Sequence, residues 1–441
     1  MNLYLYLLNE VVQFQTVSFD PKYYPEITRC VKWYSKLFKK YGFHIRIIKG
    51  YDNPIILSEF TFNKTLPTVL IYGHYDVQPA AMEEGWKSDP FKINEKNDRL
   101  YARGVIDNKG QHLVHLATVL SLIKEKKLGY NVKFFIEGNE ETGSPKIAKF
   151  FRDFKKELTV DFILISDGEQ IAGHPNITAG YRGITNCTVT LKTATTDLHS
   201  GIYGGVAPNA AIELCKLLSQ IYDKNFKILI PGFYNEIEKI PTKLQKLNEL
   251  IPFSIRNFKS ITGTKTVFLP KKVNYYTKVS LQPTVEISGI SSGYTGLGFK
   301  SIIPGRAKAK INFRLVKNQN PQKILSSFKK FLEKIAPKYV SLKFEFPGGS
   351  EGSVSAVRYD IDNIYVQKAM ILLKSIYGKS VLITHHGATL PMVSSLDQIL
   401  KKPIVDVPLV NEDCNMHGAN ENYEIANLNK ALKFSRAFLK K

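Results

Sequence analysis

His74 and Asp76 stand just past the glycine that ends the run Thr68-Val-Leu-Ile-Tyr72. A neutral imidazole in that position can bind a metal, and a carboxylate two residues on can hold its other ring nitrogen. Taken alone, a His-x-Asp is more often an ordinary hydrogen-bonded pair, and its weight here comes from recurrence. Asp107 sits in the glycine-bounded turn of ARGVIDNKGQ, Glu140 and Glu141 in GNEETGSP, Asp167 between Ser166 and Gly168, and His417 in NEDCNMHGANE. Two histidines, several carboxylates and no thiolate make a nitrogen- and oxygen-rich set suited to two divalent ions with a bridging carboxylate. Two ions about 3.5–4 Å apart can deprotonate one water and polarise the carbonyl it attacks. One carboxylate must stay off the metals to take the proton, and a glutamate beside a ligand glutamate is well placed for that. Each piece also has a plainer reading. Asp107-Asn108 has the composition of a helix N-cap, and Glu140-Glu141 that of an exposed acidic turn.

These residues need elements to bring them together. Thr68–Tyr72, Val132–Ile136, Phe162–Ile165 and Ile404–Val407 are short apolar runs that read as strands buried on both faces, each followed by metal-type residues. Amphipathic helices are expected at 2–16, 23–41, 109–125, 363–377 and 421–439, and further strands at 45–48, 55–57 and 381–383. Strands alternating with helices at this spacing predict an α/β fold, a mostly parallel sheet sandwiched by helices, with ligands bound beyond the carboxyl ends of the strands. The pattern changes after Gly180. Cys187, Val189 and Leu191 alternate with polar residues, and Ala307, Ala309, Ile311, Phe313 and Leu315 oppose Arg306, Lys308, Lys310, Asn312 and Arg314. With helices near 209–221 and 321–336 and strands at 284–287 and 340–344, the order is strand, helix, strand, strand, helix, strand. That describes an inserted α+β, ferredoxin-like domain with a small antiparallel sheet. The expected limits are 1–178 and 348–441 for the catalytic domain and 179–347 for the insert. Residues 225–280 are rich in Lys, Pro and Tyr, and one helix is expected there, near 242–250.

The 441 residues, 44% of them hydrophobic, exceed one ordinary core and fit two domains. Cys30, Cys187, Cys215 and Cys414 lie far apart with no CxxC, which suits a reducing compartment and argues against a disulfide frame or a cysteine zinc site. The apolar start is interrupted by Glu10 and Gln13 and lacks a basic n-region, so it reads as a first helix, not a signal peptide. No run of about 18 apolar residues exists to span a membrane. A cytoplasmic protein is expected. The net charge of +22 could mark a nucleic-acid binder, but the lysines are scattered and no nucleic-acid-binding signature accompanies them. A solvated basic surface is the simpler account, with no specific nucleic acid as partner.

GHYDVQPA, GWKSDPF, LYARGVIDNKGQ, IEGNEETGSP, ISDGE, DLHSGIYGG, Ile303-Pro-Gly-Arg306 and NMHGANENY, in that order, resemble the co-catalytic zinc exopeptidases and deacylases. That family includes carnosinase, cytosolic non-specific dipeptidase, carboxypeptidase G, aminoacylase and succinyl-diaminopimelate desuccinylase. GHYDVQPA and DNKG look closest to the carnosinase and dipeptidase branch. The resemblance implies two divalent ions, zinc first with manganese or cobalt as alternatives, bridged by Asp107. His74 and Asp167 would complete one site, and Glu141 and His417 the other. Asp76 would orient His74, and Glu140 would be general base and then proton donor to the leaving amine. His199 would reach into the neighbouring subunit's site and stabilise the oxyanion, so a homodimer through the insert is implied. Arg314 would bind the substrate's terminal carboxylate, assisted by Ser301 and by Gly387, Ala388 and Thr389. Two departures stand out. His385-His386-Gly387-Ala388-Thr389 replaces the branch's arginine-acidic-glycine-glycine-serine loop, and Pro347 stands where a substrate-contacting histidine is expected before Gly348-Gly349. The paired histidines suggest an acidic substrate or a changed carboxylate grip. The implied activity is metal-dependent hydrolysis of the amide bond in dipeptides or small peptides. N-acyl-amino-acid deacylation is the alternative, and a nucleic-acid-binding protein on an inactive scaffold the remote one.

Overall fold

The computed structural model describes residues 2–348 and 353–441. At its centre, Asn131–Glu137, Thr68–His74, Phe162–Ile165 and Ile404–Asp406 lie side by side in that order, each parallel to its neighbour. The four apolar runs therefore form one block, and their carboxyl ends open on the same edge. Alternate side chains leave opposite faces of a strand, and here each face meets its own core. Val69, Ile71, Phe162, Leu164, Val132, Phe134 and Val405 enter one cluster, with the helices Asn2–Val12, Tyr24–Lys40, Lys109–Lys124, Ile364–Tyr377 and Ile425–Leu439. Leu70, Tyr72, Ile163, Ile165, Phe135 and Ile404 enter the other, with Ile147–Asp153 and Pro391–Leu400. Burial on both faces explains why these runs are continuously apolar.

Antiparallel strands finish the nine-stranded sheet. Ile55–Phe60 pairs with Asn131–Glu137, and His44–Ile48 pairs with Ile55–Phe60. On the other side Asn176–Tyr181 follows, with Leu382–His386 parallel to it and Val357–Arg358 antiparallel. A second, five-stranded sheet runs Thr284–Ser292, Arg306–Leu315, Gly183–Lys192, Ser341–Glu345, with Ser353–Val354 also on Gly183–Lys192, and every pairing is antiparallel. Its apolar face, with Ala307, Ala309, Ile311, Phe313 and Leu315 buried, packs on the helices Ala210–Ser219 and Pro321–Ile335 in a separate core.

Several elements differ from expectation. The first helix stops at Val12, and the last begins at Ile425 because Asn422–Glu424 is drawn into a small sheet with Arg99–Tyr101 and Asn94–Lys96. Residues 225–280 hold not one helix but Thr242–Glu249 and Ile255–Thr262, and a third, Tyr275–Leu281, begins there. Each of the last two is opened by a side-chain cap, Ser254 or Asn274, a signal overlooked among the lysines and prolines. The run from 385 is not all loop. His385 is buried and His386 largely so, both on the strand Leu382–His386, and Pro391 opens the helix Pro391–Leu400. Among the described residues no helix is long and apolar enough to cross a membrane.

Candidate metal centre

Asp107 lies between two imidazoles. His74 Nε2 is 3.1 Å from its Oδ1, and His417 Nε2 is 2.8 Å from its Oδ2. Asp167 Oδ2 is 3.7 Å from His74 Nε2, and Glu141 Oε2 is 3.2 Å from His417 Nε2. Two groups result, His74–Asp107–Asp167 and Asp107–Glu141–His417, and within each the ligand-type atoms lie within 4.8 Å of one another. Asp107 belongs to both. The strand ends supply His74 and Asp167 directly, while Asp107 and His417 arrive on loops.

Asp76 ties the cluster together from beneath. His74 Nδ1 lies 3.0 Å from the Asp76 carbonyl and 3.3 Å from its carboxylate. The same carboxylate accepts the amide N–H groups of Glu140 and Glu141 at 3.2 and 3.1 Å. One buried side chain thus fixes a histidine from one strand end and the glutamate loop from the next.

The two glutamates are held differently. Glu141 accepts from Gln78 Nε2 at 2.7 Å besides facing His417. The Glu140 carboxylate takes no hydrogen bond from any described protein group. Burial, with Asp167, Asp107 and Glu141 close by, pushes the Glu140 carboxyl well above the ordinary range against the pull of His74. Burial likewise raises Glu141 and Asp167. At Asp107 burial works against the charge, but hydrogen bonds from His417 and His74 outweigh it and hold the carboxyl below its usual range. His417, bonded to Asp107 and Glu141, is pushed up to about 10. At His74 burial is outweighed by Asp167 and by hydrogen bonds to Asp107, Asp167 and Asp76, and its pKa rises. Five carboxylates against two imidazoles is a set short of positive charge, and its donor types fit two divalent ions. As ligands the imidazoles would have to give up those protons.

Asn108 precedes the helix Lys109–Lys124, yet its side chain makes no capping bond. It turns instead to the Ser166 carbonyl at 2.7 Å and to Asp167 Oδ1 at 3.0 Å. Capping therefore does not account for Asp107-Asn108.

Other expected site residues form a second group. Arg314 is half-buried and donates to Thr389 Oγ1 at 3.1 Å, and Thr389 Oγ1 donates to the Arg182 carbonyl at 2.7 Å. Arg182 Nε donates to the Gly387 carbonyl at 2.9 Å. Arg314, Gly387, Ala388 and Thr389 thus share one niche. Ser301 and His199 lie elsewhere, at the short pairing of Leu198–His199 with Ile302–Ile303. His199 is exposed, its Nδ1 accepts from the Gly201 amide at 3.0 Å, and no hydrogen bond or ion pair joins it to the metal-type residues of its own chain. Pro347 is exposed, and Gly349 lies outside the described residues.

Residues 70–441 match the peptidase family M20/M25/M40. The chain belongs to that family. It is 30% identical over 395 residues to the Beta-Ala-His dipeptidase of Rattus norvegicus, covering 87% of this chain and 79% of that one. Identity to the Cys-Gly metallodipeptidase of Saccharomyces cerevisiae is 29% over 459 residues, covering 98% and 94%. The M20 family metallo-carboxypeptidase of Sulfolobus solfataricus matches with a TM-score of 0.83 at 29% identity, over 100% of this chain and 99% of its own.

This M20-family centre also has a support that the sequence reading passed over. Arg103 and Glu421 form a fully buried ion pair at 2.7 Å. Glu421 accepts the amides of Gly104, Ile106 and Asp107, while Arg103 donates to the carbonyls of Pro79, His417 and Gly418. Three loops that carry candidate ligands are thereby pinned by two side chains. His417 itself has φ +61°, a left-handed backbone uncommon outside glycine, and the grip on its carbonyl helps hold it there. The signal was an arginine and a glutamate within ligand motifs, but 318 positions separate them.

Proposed function

We propose that this chain is a two-metal dipeptidase that cleaves the amide bond of dipeptides with Glu140 as general base. The observation that carries this is the pair of ligand groups sharing Asp107, with Glu140 beside them and its carboxylate unengaged. His74, Asp107 and Asp167 would hold one ion, and Asp107, Glu141 and His417 the other. When bound, the ions supply Lewis acidity that lowers the pKa of a water and polarises the scissile carbonyl. Glu140, kept basic by its carboxylate neighbours, takes the water's proton and returns it to the departing amine. Asp76 keeps His74 and the glutamate loop in register. Arg314 and Thr389, with Gly387 and Ala388, grip the substrate's terminal carboxylate, so the scissile bond lies one residue from that anchor.

Zinc is the ion this reading names, because the donors are imidazole and carboxylate. The Beta-Ala-His and Cys-Gly dipeptidases among the relatives support dipeptides as substrates, ahead of N-acyl amino acids and of a nucleic-acid role. His199 and Ser301 act in the partner's site of a homodimer, since both lie on the insert away from their own centre. Ile202, Val206, Leu297 and Phe299, exposed and near that short strand pairing in sequence, supply apolar area for such a contact. The domain limits of this reading are 1–178, 179–347 and 348–441, with two strands that cross them. Asn176–Tyr181 runs across position 178 within the large sheet, and Ser353–Val354 still pairs with the small one. Four cysteines, all unbridged, support a cytoplasmic setting.

The test is a panel of dipeptides and N-acetyl or N-succinyl amino acids assayed with zinc, manganese and cobalt. Metal-dependent release of amino acids from dipeptides is expected, and turnover of acyl amino acids alone would replace this reading with the deacylase.

A further inference from the structure

Against the loop 387–389 lie three cations that have no anionic partner among the described residues. Arg182 donates through Nε to the Gly387 carbonyl and through Nη1 to the Gln282 carbonyl at 3.3 Å. Arg314 donates to Thr389. Lys278, on the helix Tyr275–Leu281, donates to Gln282 Oε1 at 3.1 Å. All three are partly buried, and among the described residues none makes an ion pair. Glu286, which acts on Arg182 from a distance, is exposed. Partly buried cations lose hydration, and here only neutral acceptors, with no carboxylate among the described residues, offset that loss. Burial, and then Arg314, lowers the Arg182 pKa to about 10, while burial and then Arg182 lower that of Lys278. The charges therefore sit close enough to repel one another.

Gly387 lets this group pack closely. A Cβ there would stand 2.7 Å from the Val279 carbonyl and 3.1 Å from Arg182 Nη2. Without one, the helix that carries Lys278 and the Arg182 guanidinium both close on the loop. The histidines suspected of favouring an acidic substrate do not take part. Burial lowers His385 and His386 to about 4, so both are neutral, and His386 stacks on Tyr181.

We infer that the niche binds two carboxylates, the terminal one on Arg314 and Thr389 and a side-chain one between Arg182 and Lys278, so the preferred substrates are dipeptides with a C-terminal aspartate or glutamate. This rests on the dipeptidase reading for its setting. Charge-assisted bonds to both groups raise kcat/KM for Ala-Glu over its isostere Ala-Gln, which leaves a cation unpaired.

Zinc-loaded enzyme is assayed on Ala-Glu, Ala-Asp, Ala-Gln and Ala-Leu, and binding of the products L-glutamate and L-glutamine is measured by calorimetry. The expected result is a preference of at least about tenfold for the acidic member in both turnover and binding. Lys278→Gln should bring both ratios below about threefold, and Lys278→Arg should keep them. Dipeptide turnover with Ala-Glu and Ala-Gln equal, and glutamate bound no better than glutamine, overturns the inference and leaves the dipeptidase standing. No dipeptide turnover with a Lys278-dependent glutamate preference does the reverse. Neither turnover nor preference removes both.

Discussion

Glu140 and Glu141 are sequence neighbours set apart by what engages them. Gln78 and His417 tie Glu141 down, and the Glu140 carboxylate takes no hydrogen bond from the described residues. Glu140→Ala should keep the fold and the bound metal, measured by elemental analysis, and lose about 10²–10⁴-fold in kcat. Near-normal turnover in that variant would remove Glu140 as the base. Glu421 acts at one remove. Glu421→Gln loses the charge that faces Arg103 and one of the two carboxylate acceptors that hold the Asp107 turn. Metal affinity should fall about 10–100-fold in a titration, with kcat less affected once metal saturates. A purely structural role would lower stability and leave the metal titration unmoved.

At the scale of the element, the helix Lys109–Lys124 carries a cost hidden in its sequence. His115 is fully buried, bonded to Ser435 Oγ at 3.0 Å and Ser166 Oγ at 2.9 Å, and burial lowers its pKa to about 3. The unfolded chain therefore binds a proton that the folded one refuses between about pH 6.5 and pH 3. Stability is fully present above about 6.5 and falls with pH below it, by about 1.4 kcal/mol at pH 5.5 from this residue. His115→Gln should flatten that fall in denaturant titrations at pH 7.5 and 5.5, whatever it costs at neutral pH. An unchanged difference between the two pH values would place the acid sensitivity elsewhere.

For the whole molecule, two predictions concern assembly and charge. Inactive Glu140→Ala mixed with inactive His199→Ala should regain about a quarter of wild-type activity after subunit exchange, because half of the dimers are mixed and each has one intact site. No recovery would count against His199 acting across the interface. Metal removal leaves five carboxylates facing two imidazoles, so chelation should lower the melting temperature, and saturating zinc at 100 times its Kd should restore about 2.7 kcal/mol.

The positions of the candidate ligands were legible in the sequence because strand ends announce themselves. A both-faces-buried strand must be apolar throughout, so His74 and Asp167 mark where the apolar run stops. The alternation in 306–315 likewise set Arg314 on the polar face before any partner was known. Other features depend on distance in space. Arg103 meets Glu421, and Arg182 meets the 387–389 loop, across gaps that no local pattern spans. His385 and His386 looked like loop residues, and only pairing of their strand with Asn176–Tyr181 put them inside. Periodicity reports which face of an element is buried, whereas the partner of a polar group is decided by packing.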